Sequence, residues 1–235
     1  MCRCVNDRKV PGKSMKASDT VITPIHREGH FFVALFFALS LILFWLWAPL
    51  GWVGLVATAW CLYFFRDPER VVPQRGGILV SPGDGVVSSI GPARPPAELG
   101  YGDDEERQRI SVFLNVFNVH VNRSPEAGTV AAMVYVPGRF VNAAADTASD
   151  RNERQLVRLT TDDGHDIAFA QVAGLVARRI LCDLSPGQKV ARGERFGIIR
   201  FGSRVDIYLD PAYDILVAPG QTMIGGETVL AAVKG

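Results

Sequence analysis

The chain divides near residue 65 into two stretches whose hydrophobic patterns suit different solvents. From Phe31 to Phe65 no residue is charged and Phe, Leu and Trp dominate, so a helix built from this run is apolar on every side. A single membrane span takes about 20 such residues. This run is longer, and Ala48-Pro49-Leu50-Gly51 interrupts it, which predicts two short helices joined by a turn, a hairpin anchor over residues 31–65. Lys9, Lys13, Lys16 and Arg27 precede the run and Arg66, Arg70 and Arg75 follow it, a distribution that keeps both ends on the cytoplasmic side. At about 1.5 Å per residue each half is marginal for a full crossing, so a hairpin dipping into one leaflet and a tightly turned pair of spans both stay open. The run is too long for the apolar core of a signal peptide and has no small-residue cleavage site behind it. Trp45, Trp47, Trp52 and Trp60 suit an interfacial belt better than a buried core. Residues 1–30 read as a leader or amphipathic segment, with Met15 as an alternative start.

After Arg66 the pattern changes to short β-branched runs punctuated by Gly and Pro: GILVSPGDGVVSSI, RISVFLNVFNVHV, QLVRLTT, DIAFAQVAG and FGIIRFG. Such punctuation predicts a mainly β body over residues 66–235. Two internal similarities run through it. Pro186-Gly187-Gln188 with Gly193-Glu194 returns in register as Pro219-Gly220-Gln221 with Gly226-Glu227, and Ser81-Pro82-Gly83-Asp84-Gly85 parallels Ser124-Pro125-Glu126-Ala127-Gly128. The turn-and-strand unit resembles that of the biotinyl and lipoyl barrel-sandwich domains, and its duplication predicts two related half-sandwiches packed together. Neither copy places a lysine convincingly at a hairpin tip, which weakens a pure carrier role.

Lys and Arg total 25 against 24 Asp and Glu, with no basic stripe interleaved with aromatics, so nucleic acid is not an expected partner. The four cysteines, Cys2, Cys4, Cys61 and Cys182, are too scattered for a disulfide framework, and no second Cys/His pair joins Cys2 and Cys4 to make a zinc site. No metal is expected.

The segment RFGIIRFGSRVDIYL sets Gly202-Ser203 between two strand-like runs. In isolation that dipeptide is a bulge or turn. It is also the dipeptide at which pyruvoyl enzymes cut themselves: no side chain on the glycine shields its carbonyl from the serine hydroxyl, so an ester can replace the amide. Elimination then leaves a dehydroalanine that hydrolyses to a pyruvoyl group. The serine needs a base, usually a histidine oriented by a carboxylate. Of the four histidines, His26 and His30 border the apolar run and His165 lies in an apparent hairpin turn, TDDGHD. His120, on a strand-like stretch, is the candidate base, and Asp84, in the turn SPGDG, is its candidate partner. The matching position of the second copy is Ala127, an asymmetry that a fold-forming role does not require.

The segments FFRDPER (64–70), SPGDG (81–85), FNVHVNRSP (117–125), GRFVNAAADTASDRNER (138–154), QVAGLVARRI (171–180) and FGSRVDIYL (201–209), in this order, resemble the phosphatidylserine decarboxylases of the short bacterial and archaeal type. The resemblance covers nearly all of residues 20–235. It implies cleavage between Gly202 and Ser203 of a zymogen, giving a large chain, 1–202, and a small chain, 203–235, that stay together as a heterodimer. Asp84, His120 and Ser203 would form the maturation triad. Ser203 would become the covalent pyruvoyl cofactor, with neither metal nor pyridoxal phosphate, and would take up the substrate amine as a Schiff base while carbon dioxide leaves. His120 would reprotonate the carbon, and the product would be phosphatidylethanolamine. Arg139, Asn142 and Arg151 are the candidate substrate contacts.

Two departures from the family pattern stand out. Longer members carry a second histidine before the one matching His120, where this chain reads Val116-Phe117-Asn118, and Thr147 replaces a frequent lysine. The implied location is the cytoplasmic face of the cell membrane, with a phospholipid substrate. The competing readings are a non-enzymatic membrane-anchored adaptor bearing a lipoyl-like sandwich, which usually adds a long helical hairpin not visible here, and a Ser-His-Asp hydrolase, whose nucleophile prefers a strand-to-helix elbow.

Overall fold

The computed structural model describes residues 23–138, 152–174, 179–200 and 202–235. Two helices come first, α1 (Arg27–Leu46) and α2 (Ala48–Phe64), antiparallel and in contact along their length. Trp47 alone breaks the helical path, with an extended backbone. The sequence expectation put the turn at Ala48–Gly51; instead Pro49 sits in the first turn of α2, where its missing N–H costs nothing. Small residues let the helices approach closely. A Cβ on Gly51 would lie 2.2 Å from the Phe44 ring, and one on Gly54 would lie 2.7 Å from Ser40 Oγ. Ser40 and Thr58 hydroxyls meet between the helices at 3.2 Å, and each is also bonded to a carbonyl one turn back.

Among the described residues the β body has fourteen strands: β1 (Ile78–Val80), β2 (Gly85–Ala93), β3 (Arg107–Leu114), β4 (Val121–Arg123), β5 (Gly128–Val136), β6 (Arg154–Thr161), β7 (Asp166–Ala173), β8 (Ile180–Cys182), β9 (Lys189–Val190), β10 (Arg195–Ile199), β11 (Ser203–Tyr208), β12 (Tyr213–Ile215), β13 (Thr222–Met223) and β14 (Val229–Val233). One sheet runs β13-β2-β3-β11-β7-β6-β5-β9, and two three-stranded sheets run β1-β14-β12 and β4-β10-β8, all with antiparallel pairing. The main core, with Ile110, Val112, Phe169, Val205 and Ile207, fills the space between them.

The internal repeat is legible in the hydrogen bonds. Val80 N–H donates to Pro125 C=O while Arg123 N–H donates to Pro82 C=O, a reciprocal pair joining the two SPxxG turns. Gly220 N–H donates to Val87 C=O as Gly187 N–H does to Val130 C=O, and β2 and β5 carry a bulge at matching places. Gly187, Gly193, Gly220 and Gly226 all have φ between +73° and +87°, a region closed to most L residues. The halves are nested rather than consecutive. One comprises β1–β3 and β11–β14; the other, β4–β10, is inserted between β3 and β11. In the inner half β6 turns straight into β7 through Thr161–Asp166, whereas the corresponding joint of the outer half, from Leu114 to Ser203, is where the chain leaves and returns.

Candidate active site

That joint is where the chemistry-bearing residues meet. Ser203 opens β11, paired with Leu114 of β3 on one side and Ala173 of β7 on the other. Side chains alternate along a strand, so Ser203, Val205 and Ile207 face the core, while Arg204 and Asp206 face the other side and pair there at 2.9 Å. Ser203 is fully buried, and its hydroxyl has no hydrogen-bond partner among the described residues. Gly202 precedes it with φ +68°, a conformation that favours glycine over any residue with a Cβ.

His120 ends the outgoing connection, immediately before β4. Its Nδ1 lies 3.0 Å from Asn118 C=O, and its Nε2 accepts the Gly202 N–H at 3.3 Å. Donation from Nδ1 to the carbonyl fixes the tautomer and leaves the Nε2 lone pair to accept the N–H of Gly202, the residue before Ser203. The ring is buried and lies 4.3 Å, centroid to centroid, from Phe64, the last residue of α2. Burial, aided by the nearby Arg66 charge and partly opposed by the Asn118 bond, lowers the His120 pKa to about 4. The imidazole is therefore neutral at physiological pH, in the form that accepts a proton.

Asp84 sits in the turn before β2, as its sequence suggested. Its carboxylate is gripped by Arg70 Nη2 at 2.7 and 2.8 Å and accepts the Gly225 N–H at 2.8 Å. The structure thus brings His120 and Gly202-Ser203 together, while the atom orienting His120 is the Asn118 carbonyl and the partner of Asp84 is Arg70. Asp84 ties the segment after β13 to the turn before β2. His165 lies in the β6–β7 turn with its ring edge toward Tyr213, away from this joint, and His26 caps the start of α1. Arg139, Asn142 and Arg151 lie outside the described residues.

Sequence reasoning did not single out several neighbours. Gln171 on β7 donates to Asn122 Oδ1 at 2.8 Å, a buried amide pair bridging the large sheet to β4. Gly197 leaves room for it, since a Cβ there would lie 3.1 Å from Gln171 Nε2. Asn152, also buried, donates to the carbonyl of Ala173, the strand partner of Ser203. Phe64 and Arg66 belong to the FFRDPER segment, whose order hinted at them, but only the fold shows that α2 ends against His120.

Comparison with known proteins gives this geometry a context. The family model described as phosphatidylserine decarboxylase matches residues 57–231. Among curated proteins, the chain is 57% identical over 212 residues to a phosphatidylserine decarboxylase proenzyme of Cereibacter sphaeroides, an alignment covering 90% of this chain and 91% of that one. It is 56% identical to the proenzyme of that name from Ruegeria pomeroyi, covering 94% of this chain and 100% of that one. The Paramagnetospirillum magneticum proenzyme is 53% identical over 225 residues, covering 94% of this chain and 93% of its own.

Proposed function

Since the chain belongs to the phosphatidylserine decarboxylase family and is a decarboxylase made as a proenzyme, we propose that it cuts itself between Gly202 and Ser203 and uses the pyruvoyl group so formed to convert phosphatidylserine to phosphatidylethanolamine and carbon dioxide. The observation that carries this reading is a buried serine hydroxyl with no hydrogen-bond partner among the described residues, preceded by a glycine whose N–H is held by the Nε2 of a neutral histidine. His120 takes the Ser203 hydroxyl proton, and Oγ attacks the Gly202 carbonyl carbon. The C–N bond breaks as the C–O ester bond forms, and the proton passes to the released Ser203 amine. Loss of the Ser203 α-proton then expels the Gly202 carboxylate, and water replaces the nitrogen of the resulting dehydroalanine, releasing ammonia.

The residues present fit the group. It would arise on a buried strand end between Leu114 and Ala173, with no side chain on Gly202 to obstruct it. Bound there, the pyruvoyl carbonyl supplies the electron sink for loss of the substrate carboxylate. His120, neutral in the precursor, is the base of maturation; as the acid of turnover it first needs a proton, which the substrate ammonium can supply. Asp84 acts by holding the small chain's Gly225 to the turn of the large chain. Arg139, Asn142 and Arg151 stay candidate contacts for the headgroup.

Membrane attachment belongs to the same reading. Helix α1 is long and apolar enough to cross a membrane, about 30 Å at 1.5 Å per residue, and α2 is slightly shorter. Trp45, Trp47 and Trp52 are exposed at the hairpin tip. Its base, through Phe64, Phe65 and Cys61, packs on Val119, Val121 and Ile198 beside the site. This supports a hairpin seated in the cytoplasmic face of the cell membrane, delivering a two-tailed substrate to the joint. We also read each nested half as a barrel-sandwich unit of the lipoyl-like kind, a view supported by the repeated turns.

The test is a denaturing gel with mass spectrometry. Wild type should show a small fragment beginning at residue 203 and blocked by a pyruvoyl group, and Ser203→Ala should remain one folded, uncut chain. His120→Ala should slow cutting by about 10²-fold or more. A single intact polypeptide with an ordinary serine, in a preparation that turns over lipid, would overturn the proposal.

A further inference from the structure

A phosphodiester substrate calls for a cation near residue 203, and Arg66 is a candidate because its charge reaches His120. It leaves the foot of the hairpin two residues after Phe64, whose ring lies against His120. Arg66 Nη1 donates to Tyr63 C=O at 2.6 Å and Nη2 to Phe117 C=O at 2.8 Å, while the guanidinium carbon lies 3.7 Å from the centre of the Tyr63 ring. The next carbonyl along, that of Asn118, is the one that holds His120 Nδ1. Consecutive carbonyls of one short loop therefore carry the cation and the base, and the Arg66 charge is felt at His120.

Charge balance separates Arg66 from the other arginines at the hairpin foot. Arg27 is matched by Asp183 and Arg200 by Glu28. Arg66 donates only to neutral backbone carbonyls, and no carboxylate among the described residues pairs with it. A guanidinium has five N–H donors in a planar fork suited to phosphate oxygens, and these bonds leave some unspent. On either side Tyr63 is 49% and Phe117 60% exposed, apolar surface that suits the glycerol and first acyl carbons of a lipid better than water.

We propose that Arg66 binds the phosphodiester of the phosphatidylserine headgroup, so that the serine end reaches His120 and residue 203 while the acyl chains follow the hairpin. The inference rests on the decarboxylase reading, which wild-type turnover tests by itself; the ratio between variants tests Arg66.

The experiment measures full-length, matured enzyme on phosphatidylserine in micelles of a neutral detergent, with surface concentration varied. Arg66→Gln should raise KM about tenfold or more, as expected for loss of a charge-assisted hydrogen bond, with kcat within about threefold of wild type. Arg66→Lys should fall between the two. Arg27→Gln, on the same rim, should match wild type; an equal rise in KM there would mean bulk attraction of anionic lipid and overturn the proposal. Glycerophosphoserine should compete in wild type and lose potency in Arg66→Gln by the same factor, while inorganic phosphate should compete far more weakly. Equal competition by inorganic phosphate would overturn the headgroup assignment. A fall in kcat at unchanged KM would make Arg66 a positioning residue for His120 and overturn it too. Should Arg66→Gln fail to mature, the lysine variant decides: raised KM supports the proposal and wild-type KM refutes it.

Discussion

His120 is neutral because it is buried, and that decides which direction of proton transfer is open to it in the precursor. Its pKa is lowered from the ordinary value to about 4, so Nε2 stays unprotonated down to acidic pH. Self-cleavage that needs this lone pair should hold its base-limited rate through pH 6.5, where an exposed histidine would already be half protonated, and fall only near pH 4. Rapid mixing of freshly translated precursor into buffers of graded pH, followed by gel analysis, would measure this limb; a midpoint near 6.5 would assign the base elsewhere. Stability carries the same sign: unfolding frees the ring to take up a proton below about 6.5, so this burial weakens the fold as pH falls from there toward 4. Ser203 and His120 were legible as residues because each is a reactive group in an apolar strand pattern. The company of Asp84 was not, because its ion pair with Arg70 joins turns that only the folded chain brings together.

Among the elements, the hairpin was legible in outline, since an uncharged run of that length admits few alternatives. Its bounds moved from residues 31–65 to Arg27–Phe64, because Arg27 and Glu28 make ion pairs with Asp183 and Arg200 of the body and so join the first turn of α1. What the pattern could not show is that the base of the hairpin doubles as a wall of the site. Two substitutions separate these roles. Gly54→Leu drives a side chain into Ser40, including its backbone, and should cost about 1–3 kcal/mol, seen as a lower melting temperature in detergent, with cutting near the wild-type rate. Phe64→Ala removes a fully buried ring from the face of His120; it should cost about 3–5 kcal/mol and also slow self-cleavage, read as a gel time course at a temperature where the variant remains folded. Equal cutting rates in the two variants would deny the hairpin any part in positioning the base.

Across the whole molecule, the duplication was readable because glycines with positive φ recur in the PGQ turns, and glycines pressed against a neighbouring strand's backbone recur in the SPxxG turns. The nesting was not readable, because strand pairing between β3 and β11 spans a whole inserted half and leaves no local signature. The arrangement predicts how the cut protein behaves. Cut between residues 202 and 203 as proposed, the small chain would supply β11, flanked on both sides by large-chain strands, and β14, which pairs with β1 as well as with its own β12. The two chains should co-elute as one species in size-exclusion chromatography at neutral pH and separate only in denaturant; partition of the small chain into its own peak under native conditions would contradict this register.

The buried hydroxyl at the head of β11 carries a manufacturing constraint. A ribosome starts chains with methionine, at an end that must find its own way into the fold. The ketone-bearing terminus proposed for residue 203, in the middle of a sheet and walled in by neighbours on either side, would be out of reach of that route. On the proposed cut, building the sheet first around an unbroken strand and opening the backbone only once its neighbours are locked would put the new end where it is needed with no threading step.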